Sequence, residues 1–444
     1  MSGLQTLGAA LAFAAGLGFS AAQAQPCAAP AAWFPLTPKP ANQQPASLCD
    51  FYLWSWQTFL HATQADAASG DTRPRLLTYD TPTDLFGPTA ALRFPASGRT
   101  PGRTQSMLRL TPRVTKQEDL IDIDQILQAG SDGIVVDQAG RAIYYQIHLN
   151  GDFSTFVRDN GFTDREKLIK APADLAFPVG VVEFKSSWRV LAPGEDPKGA
   201  FTTTAEIPRL INKDKKIVID PTQTSAVTVA LMGLHVVGVT QGHPEFIWAT
   251  FEHVDNAPNL PVGMKPDANS PVDSTRSWTL YAQNTAAKDS NKNVKVPDLK
   301  LDVPTQTLTP KTAVFREFEL GGSTNPALIK GLTASVQQQL AGTEPWRNYF
   351  LVGAVWLRNP GQDFKPDASF DAAQLAGETK LSNASMETYT QNLRPNCFSC
   401  HKTKAMRIPG TNESIPAKLL NVSHVFSSAF GNIRQVIQRA MDSR

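Results

Sequence analysis

Residues 226–254 read AVTVALMGLHVVGVTQGHPEFIWATFEHV. Val, Ile, Phe and Thr crowd two runs, Ala226 to Thr240 and Glu245 to Val254, on either side of Gln241-Gly242-His243-Pro244. β-Branched and aromatic runs broken by a glycine-containing turn spell a pair of antiparallel strands. Working outward, Val179 to Leu191 (VGVVEFKSSWRVL) alternates as a further strand, with Lys185 as an unexpected mid-strand charge. Ile134-Val135-Val136 and Ala142 to Leu149 flank an Asp137-Gln138-Ala139-Gly140 turn and read as a hairpin. Downstream, Tyr349 to Leu357 (YFLVGAVWL) is a buried strand.

Helices punctuate this pattern. Asp50 to Thr63 (DFYLWSWQTFLHAT) places Leu53, Trp56, Phe59 and Leu60 on one face, with Asp50 as its cap. Aromatics at that spacing are core before they are a cofactor pocket. Further helices are expected at Lys116 to Gln128, near Thr163 to Lys170, and from Asn325-Pro326 to about Leu340. The acidic start of the Lys116 helix is no calcium loop, because Ile126 and Leu127 stand where an oxygen ligand and a glycine are needed. Pro258 to Ser274 and Ala286 to Lys300 read as polar loops. A short helix at Ala384 to Asn392 and a final one capped by Ser423, striped with Phe426, Phe430, Ile433, Ile437 and Met441, close the chain. The expected class is α+β: a β-rich body of antiparallel strands with several helices over 25–382, followed by a short helical segment over 383–444 packed on it.

Residues 1–24 read as a secretory signal peptide, with an apolar run from Leu7 to Phe19 and a cleavage-type Ala22-Gln23-Ala24 before Gln25. No Lys or Arg precedes that run, a departure from the usual pattern. No other stretch is apolar enough to cross a bilayer, so no transmembrane span is expected in the mature chain. With 42 basic and 40 acidic residues, the charge balance suggests no nucleic-acid partner. Of the four cysteines, Cys27 and Cys49 are expected to form a disulfide in an oxidising compartment. It would close a loop of about 20 residues, worth roughly 3 kcal/mol.

The other two cysteines belong to Cys397-Phe398-Ser399-Cys400-His401, a C-x-x-C-H sequence. Two thiols can form thioethers with the vinyl groups of one haem while the adjacent histidine reaches its iron. Positions three and four apart on a helical turn share a face, so all three can meet one macrocycle edge. C-x-x-C alone also serves dithiol redox chemistry or half a zinc site. No second C-x-x-C is present for zinc, and no thioredoxin-like βαβ pattern surrounds this one. The expected cofactor is one covalent haem c on Cys397 and Cys400, with His401 as proximal ligand. The expected location is the periplasm, where bacteria attach such haem. Only 43 residues follow His401, too few to bury a macrocycle, so the β-rich body must supply part of the pocket.

The sixth iron ligand separates an electron carrier from an open, reactive iron. His424, 23 residues past His401, is the first choice for a distal ligand. Met386 is possible, and Met406 follows His401 too closely to turn back easily. His148, His235 and His253 sit on strands, and whether the last two share a face depends on register. With an open distal position, Glu183, Lys185, Glu252, His253 and Asp255 become candidates for proton delivery. Each also has an ordinary structural use, at a strand edge or in a hydrogen bond.

FYLWSWQTFL (51–60), VEFKSSW (182–188), GLHVVGVT with FIWATFEHVDNAP (233–258) and METYTQ with CFSCH (386–401) resemble exported bacterial cytochrome c family proteins with one haem. That resemblance implies haem at Cys397, Cys400 and His401 and supplies no substrate. The order, body first and motif last, is also similar to the hydroxylamine-oxidising mono-haem cytochromes, in layout alone and with no residue matched to their lysine–haem crosslink. The leading expectation is electron transfer with a periplasmic redox partner. A haem enzyme of oxidase or peroxidase type is the alternative, and a binding or sensing role the third. Lys402, Lys404, Arg407, Arg434 and Arg439 around the motif could steer an acidic partner.

Overall fold

The computed structural model describes residues 27–66, 71–87, 108–109, 111–112, 134–213, 216–294, 296–318, 325–340, 342, 345–409 and 411–431. The expected signal peptide, the helix expected at Lys116 to Gln128 and the end of the expected final helix, with Arg434 and Arg439, lie outside the described residues.

Nine strands form one sheet. In chain order they are β1 Leu108–Arg109, β2 Thr111–Pro112, β3 Ile143–Leu149, β4 Val182–Val190, β5 Thr202–Lys213, β6 Lys216–Thr240, β7 His243–His253, β8 Tyr349–Leu357 and β9 Leu375–Gly377. The spatial order is β9-β8-β7-β6-β4-β3-β2, with β5 also beside β6 and β1 beside β5. All these pairings are antiparallel except β1 with β5. With its helices the chain is α+β, as the sequence implied.

The central hairpin is tighter than its four turn residues suggest. His243 already pairs with Thr240, leaving only Gln241-Gly242 at the tip. Gly242 holds φ +81°, a backbone that a side chain resists. The strand β5 escapes the periodicity reading because it opens on three threonines and carries Pro208. The helix α1 is Leu48–Thr63, and its cap is Ser47 rather than Asp50. The Ser47 hydroxyl accepts from the Asp50 N–H while the Asp50 carboxylate accepts from the Ser47 N–H, a reciprocal capping box. Two further helices, α2 Gly151–Asp159 and α3 Arg165–Lys170, lie between β3 and β4, and α4 is Pro326–Gln339.

Alternation sends neighbouring residues of each strand to opposite faces. One face is dry and apolar. Phe184, Leu234, Val236, Ala249, Phe251 and Leu351 pack there beneath Trp56 and Phe59 of α1 and Leu332 and Val336 of α4. Phe251 is fully buried, with ring centroids 4.8 Å from Trp56 and 4.3 Å from Phe59. The α1 aromatics are therefore core. The Cys27–Cys49 disulfide is formed and ties the chain ahead of α1 to its first turn. Among the described residues, no helix is long and apolar enough to cross a membrane.

The other face is covered by the last part of the chain. Trp248, Val237 and Leu149 meet Phe398, Leu419, Val422 and Phe426 there. Ala384 to Asn392 forms successive turns, not the expected helix. Its bonds do not run on at i→i−4: the Glu387 N–H reaches the Asn383 carbonyl, but the Thr390 N–H returns only three residues, to Glu387. The Ala384 N–H goes to the Glu252 carboxylate and the Ser385 N–H to the Asn383 side chain.

Candidate functional site

Register decides what the second face presents. Lys185 pairs with His235, and His235 with Thr250; Glu183 pairs with Val237, and Val237 with Trp248. Directly paired residues share a face. Glu183, Lys185, His235 and Trp248 therefore stand together, opposite the α1 side. The mid-strand charge of Lys185 thus points at the haem-motif segment, with its ammonium 6.0 Å from the centre of the Tyr145 ring.

A polar clasp fixes where that segment starts. Asn383 Nδ2 donates to Thr250 Oγ1 at 2.9 Å and to the Phe251 carbonyl at 3.0 Å. The hydroxyls of Ser385 and Ser187 are 2.6 Å apart, and Tyr145 OH donates to the Ser385 carbonyl at 2.8 Å. Glu252 joins Ala384 N on one oxygen and Arg316 Nε on the other, each at 2.8 Å, in a fully buried pair. Gly233 is required here: a Cβ would lie 2.7 Å from Asn383 Nδ2.

From that clasp the chain reaches the motif. Cys397–Ser399 is a 3₁₀ turn, and the N–H groups of Cys400 and His401 both return to the Cys397 carbonyl at 3.1 and 2.9 Å. The turn is nailed down by Phe398, fully buried against Trp248 and Phe370 with centroids at 6.0 and 5.2 Å. Both thiols are free and half-buried. Arg394 donates to Cys400 Sγ at 2.9 Å. Burial, then Glu387 and Cys400, push the Cys397 thiol well above its ordinary value. A dithiol redox centre needs the opposite shift, towards thiolate.

His401 is held on three sides. Its Nδ1–H donates to the Val422 carbonyl at 2.8 Å, which leaves Nε2 available to a metal. Its ring lies 4.1 Å from Trp248 and 4.1 Å from His424, centroid to centroid. The His401 and His424 planes differ by only 20°. Burial, then the neighbouring His424, holds His401 far below the usual imidazole range, and burial brings His424 down to about 4. Both rings are neutral near pH 7, the form a metal needs.

Around this turn the charges interlock. His235 Nε2 is 3.1 Å from Glu387 Oε1, and the second Glu387 oxygen accepts from the Asn383 N–H at 2.7 Å. Burial works against ionised Glu387, but His235 and Lys185 outweigh it and keep its carboxyl low. Glu183 accepts from the Ser423 hydroxyl at 2.8 Å, yet burial pushes it up to about 7. Glu183, Lys185, His235, Glu387, Cys397, Cys400, His401 and His424 all keep some accessible surface.

The structure thus gathers Cys397, Cys400, His401, His424, Glu183, Lys185 and His235, and separates the other candidates. His253 lies on the α1 side against Tyr349, three residues beyond Thr250. Asp255 pairs with Lys198 and Arg276, and Glu252 serves the clasp. Met386 is buried among Tyr145, Met232 and Leu280. Met406 lies in a two-residue strand paired with Ile415. Trp248 and Glu387 were not singled out by the sequence. Their only prior signals were a position in the strongest strand and one ahead of the motif.

A covalent haem fits this donor set. Two free thiols and a neutral imidazole with Nε2 available share one turn, beside Glu183, Lys185 and the His235–Glu387 pair. No group of three or more His, Cys, Asp or Glu among the described residues is arranged to hold a bare metal ion. A haem iron does not require one, since its macrocycle supplies the equatorial nitrogens. Compared with known proteins, the chain matches no family model, no curated protein and no solved structure.

Proposed function

We propose that this chain is an exported c-type haem protein carrying one haem on Cys397 and Cys400, with His401 on the iron, and that it transfers electrons in the periplasm. The observation that carries the reading is the turn itself: both thiols free, and the imidazole tied through Nδ1 to Val422. The disulfide supports an oxidising compartment. When bound, the haem supplies a one-electron iron couple. The chain's own residues orient the ligand, cover one edge of the site with Phe398 and Trp248, and set the local charge through Lys185, Glu183 and Glu387. The resemblance to mono-haem cytochromes agrees with this reading.

One observation favours a second reading, a haem enzyme with an open distal position. Glu183, Lys185 and the His235–Glu387 pair set acids and bases beside the motif turn that a simple carrier does not require, and Glu183 near 7 is suited to proton exchange. The test begins with haem staining of the exported full-length chain on a denaturing gel. Absence of covalent haem sinks both readings. Carbon monoxide added to the reduced protein then separates them: no spectral change supports the carrier, and ready uptake supports the open site.

A further inference from the structure

The nearest histidine to His401 is the obvious second axial ligand, yet its geometry is wrong for that task. Two axial imidazoles lie on opposite sides of a haem, with the iron and the macrocycle between them. Here the rings of His401 and His424 are stacked with centroids 4.1 Å apart and planes within 20°. That is van der Waals stacking, with no room for an iron between them. The same short segment delivers both contacts to His401, because the Leu419–Val422 3₁₀ turn ends with the Val422 carbonyl on Nδ1 and places His424 two residues later. Trp248 adds a third contact from β7, also at 4.1 Å.

We infer that His424 is a positioning residue for His401 and not an iron ligand: with Trp248 and the Val422 carbonyl it clamps the proximal imidazole so that only Nε2 is presented. This rests on the haem reading above. The clamp fixes the rotation of the ring about the bond from Nε2 to the iron, which is the variable a stacked neighbour controls and a mere structural residue does not.

The experiment uses the exported, haem-loaded full chain and the variants His424→Phe and His424→Ala, read by absorption and electron paramagnetic resonance. Phe keeps a stacking ring and cannot bind iron. His424→Phe is expected to show the parent's spin state and line width. His424→Ala is expected to keep that spin state with visibly broadened ferric signals, because the proximal ring samples more orientations. A change of spin state in His424→Phe, from low to high, would overturn the inference by making His424 axial. Unchanged line widths in both variants would overturn it too, by removing the clamp. Haem staining of the parent keeps failure of the haem reading separate. Should His424→Ala fail to fold, Trp248→Leu against the parent removes the ring on the other flank and tests the same clamp, with broadening expected and an unchanged signal counting against it.

Discussion

The two faces of the sheet are made by alternate residues of the same strands, both bury an apolar cluster, and only one also carries a group of charges. Phe184 and Lys185 are neighbours in β4, as are Ala249 and Thr250 in β7, yet one member of each pair joins the apolar core and the other faces the C-terminal segment. The α1 face is sealed by aromatics and gains its energy from buried area, at about 25 cal/mol per Å². The motif face adds to its own apolar packing of Trp248, Phe398 and Phe426 a directional clasp through Asn383, Ser385 and Glu252, with Glu183, Lys185, His235 and Glu387 set beside it. A single sheet can thus separate stability from chemistry by side-chain period alone. The period of two puts a charge beside a phenylalanine without exposing either to the wrong environment.

Four changes probe that division. The largest effect is expected from Cys397→Ser with Cys400→Ser, which should abolish covalent haem while far-ultraviolet circular dichroism keeps its sheet signature. Haem retained on a denaturing gel would remove chemistry from the motif face. On the dry face, Phe251→Ala should cost about 3–5 kcal/mol in urea unfolding. A loss below about 1 kcal/mol would show that this face does not carry the stability.

Glu183 sharpens the contrast through pH. Its folded value of about 7 lies above the ordinary 4.5, so the native state holds the proton that the unfolded chain releases between those values. Native stability should therefore fall as pH rises through that window, by up to about 3 kcal/mol, and Glu183→Gln should flatten the decline. Parallel pH profiles of parent and variant would deny Glu183 this role. The smallest effect is expected at the clasp: Gly233→Ala pushes a Cβ to 2.7 Å from Asn383 Nδ2 and should cost about 1–3 kcal/mol. A neutral result in thermal melts would mean that the segment shifts freely on the sheet.

Much of the body was legible from period and composition. The central hairpin, the Tyr349–Leu357 strand and the aromatic face of α1 all announce themselves through local pattern. Where local pattern competes with side-chain bonding, sequence reading fails. Asp50 looks like a cap because Ser47 and Asp50 satisfy each other, and Ala384 to Asn392 looks helical although its bonds leave the i→i−4 pattern after one turn, while Glu252 of β7 takes the Ala384 N–H. The site itself was half legible. Its three proposed attachment residues follow from spacing, whereas Lys185 reads only as an anomaly until the register is known.

By itself the sequence determined which atoms could carry a haem, because C-x-x-C-H is a local pattern whose residues a single turn brings to one side. Only the tertiary structure decided what surrounds them. Strand register, a long-range property, put Glu183, Lys185, His235 and Trp248 on the motif's face and sent His253 to the other. The stacking of His424 on His401 likewise depends on a distance and an angle between rings 23 residues apart in the chain, which no spacing rule encodes.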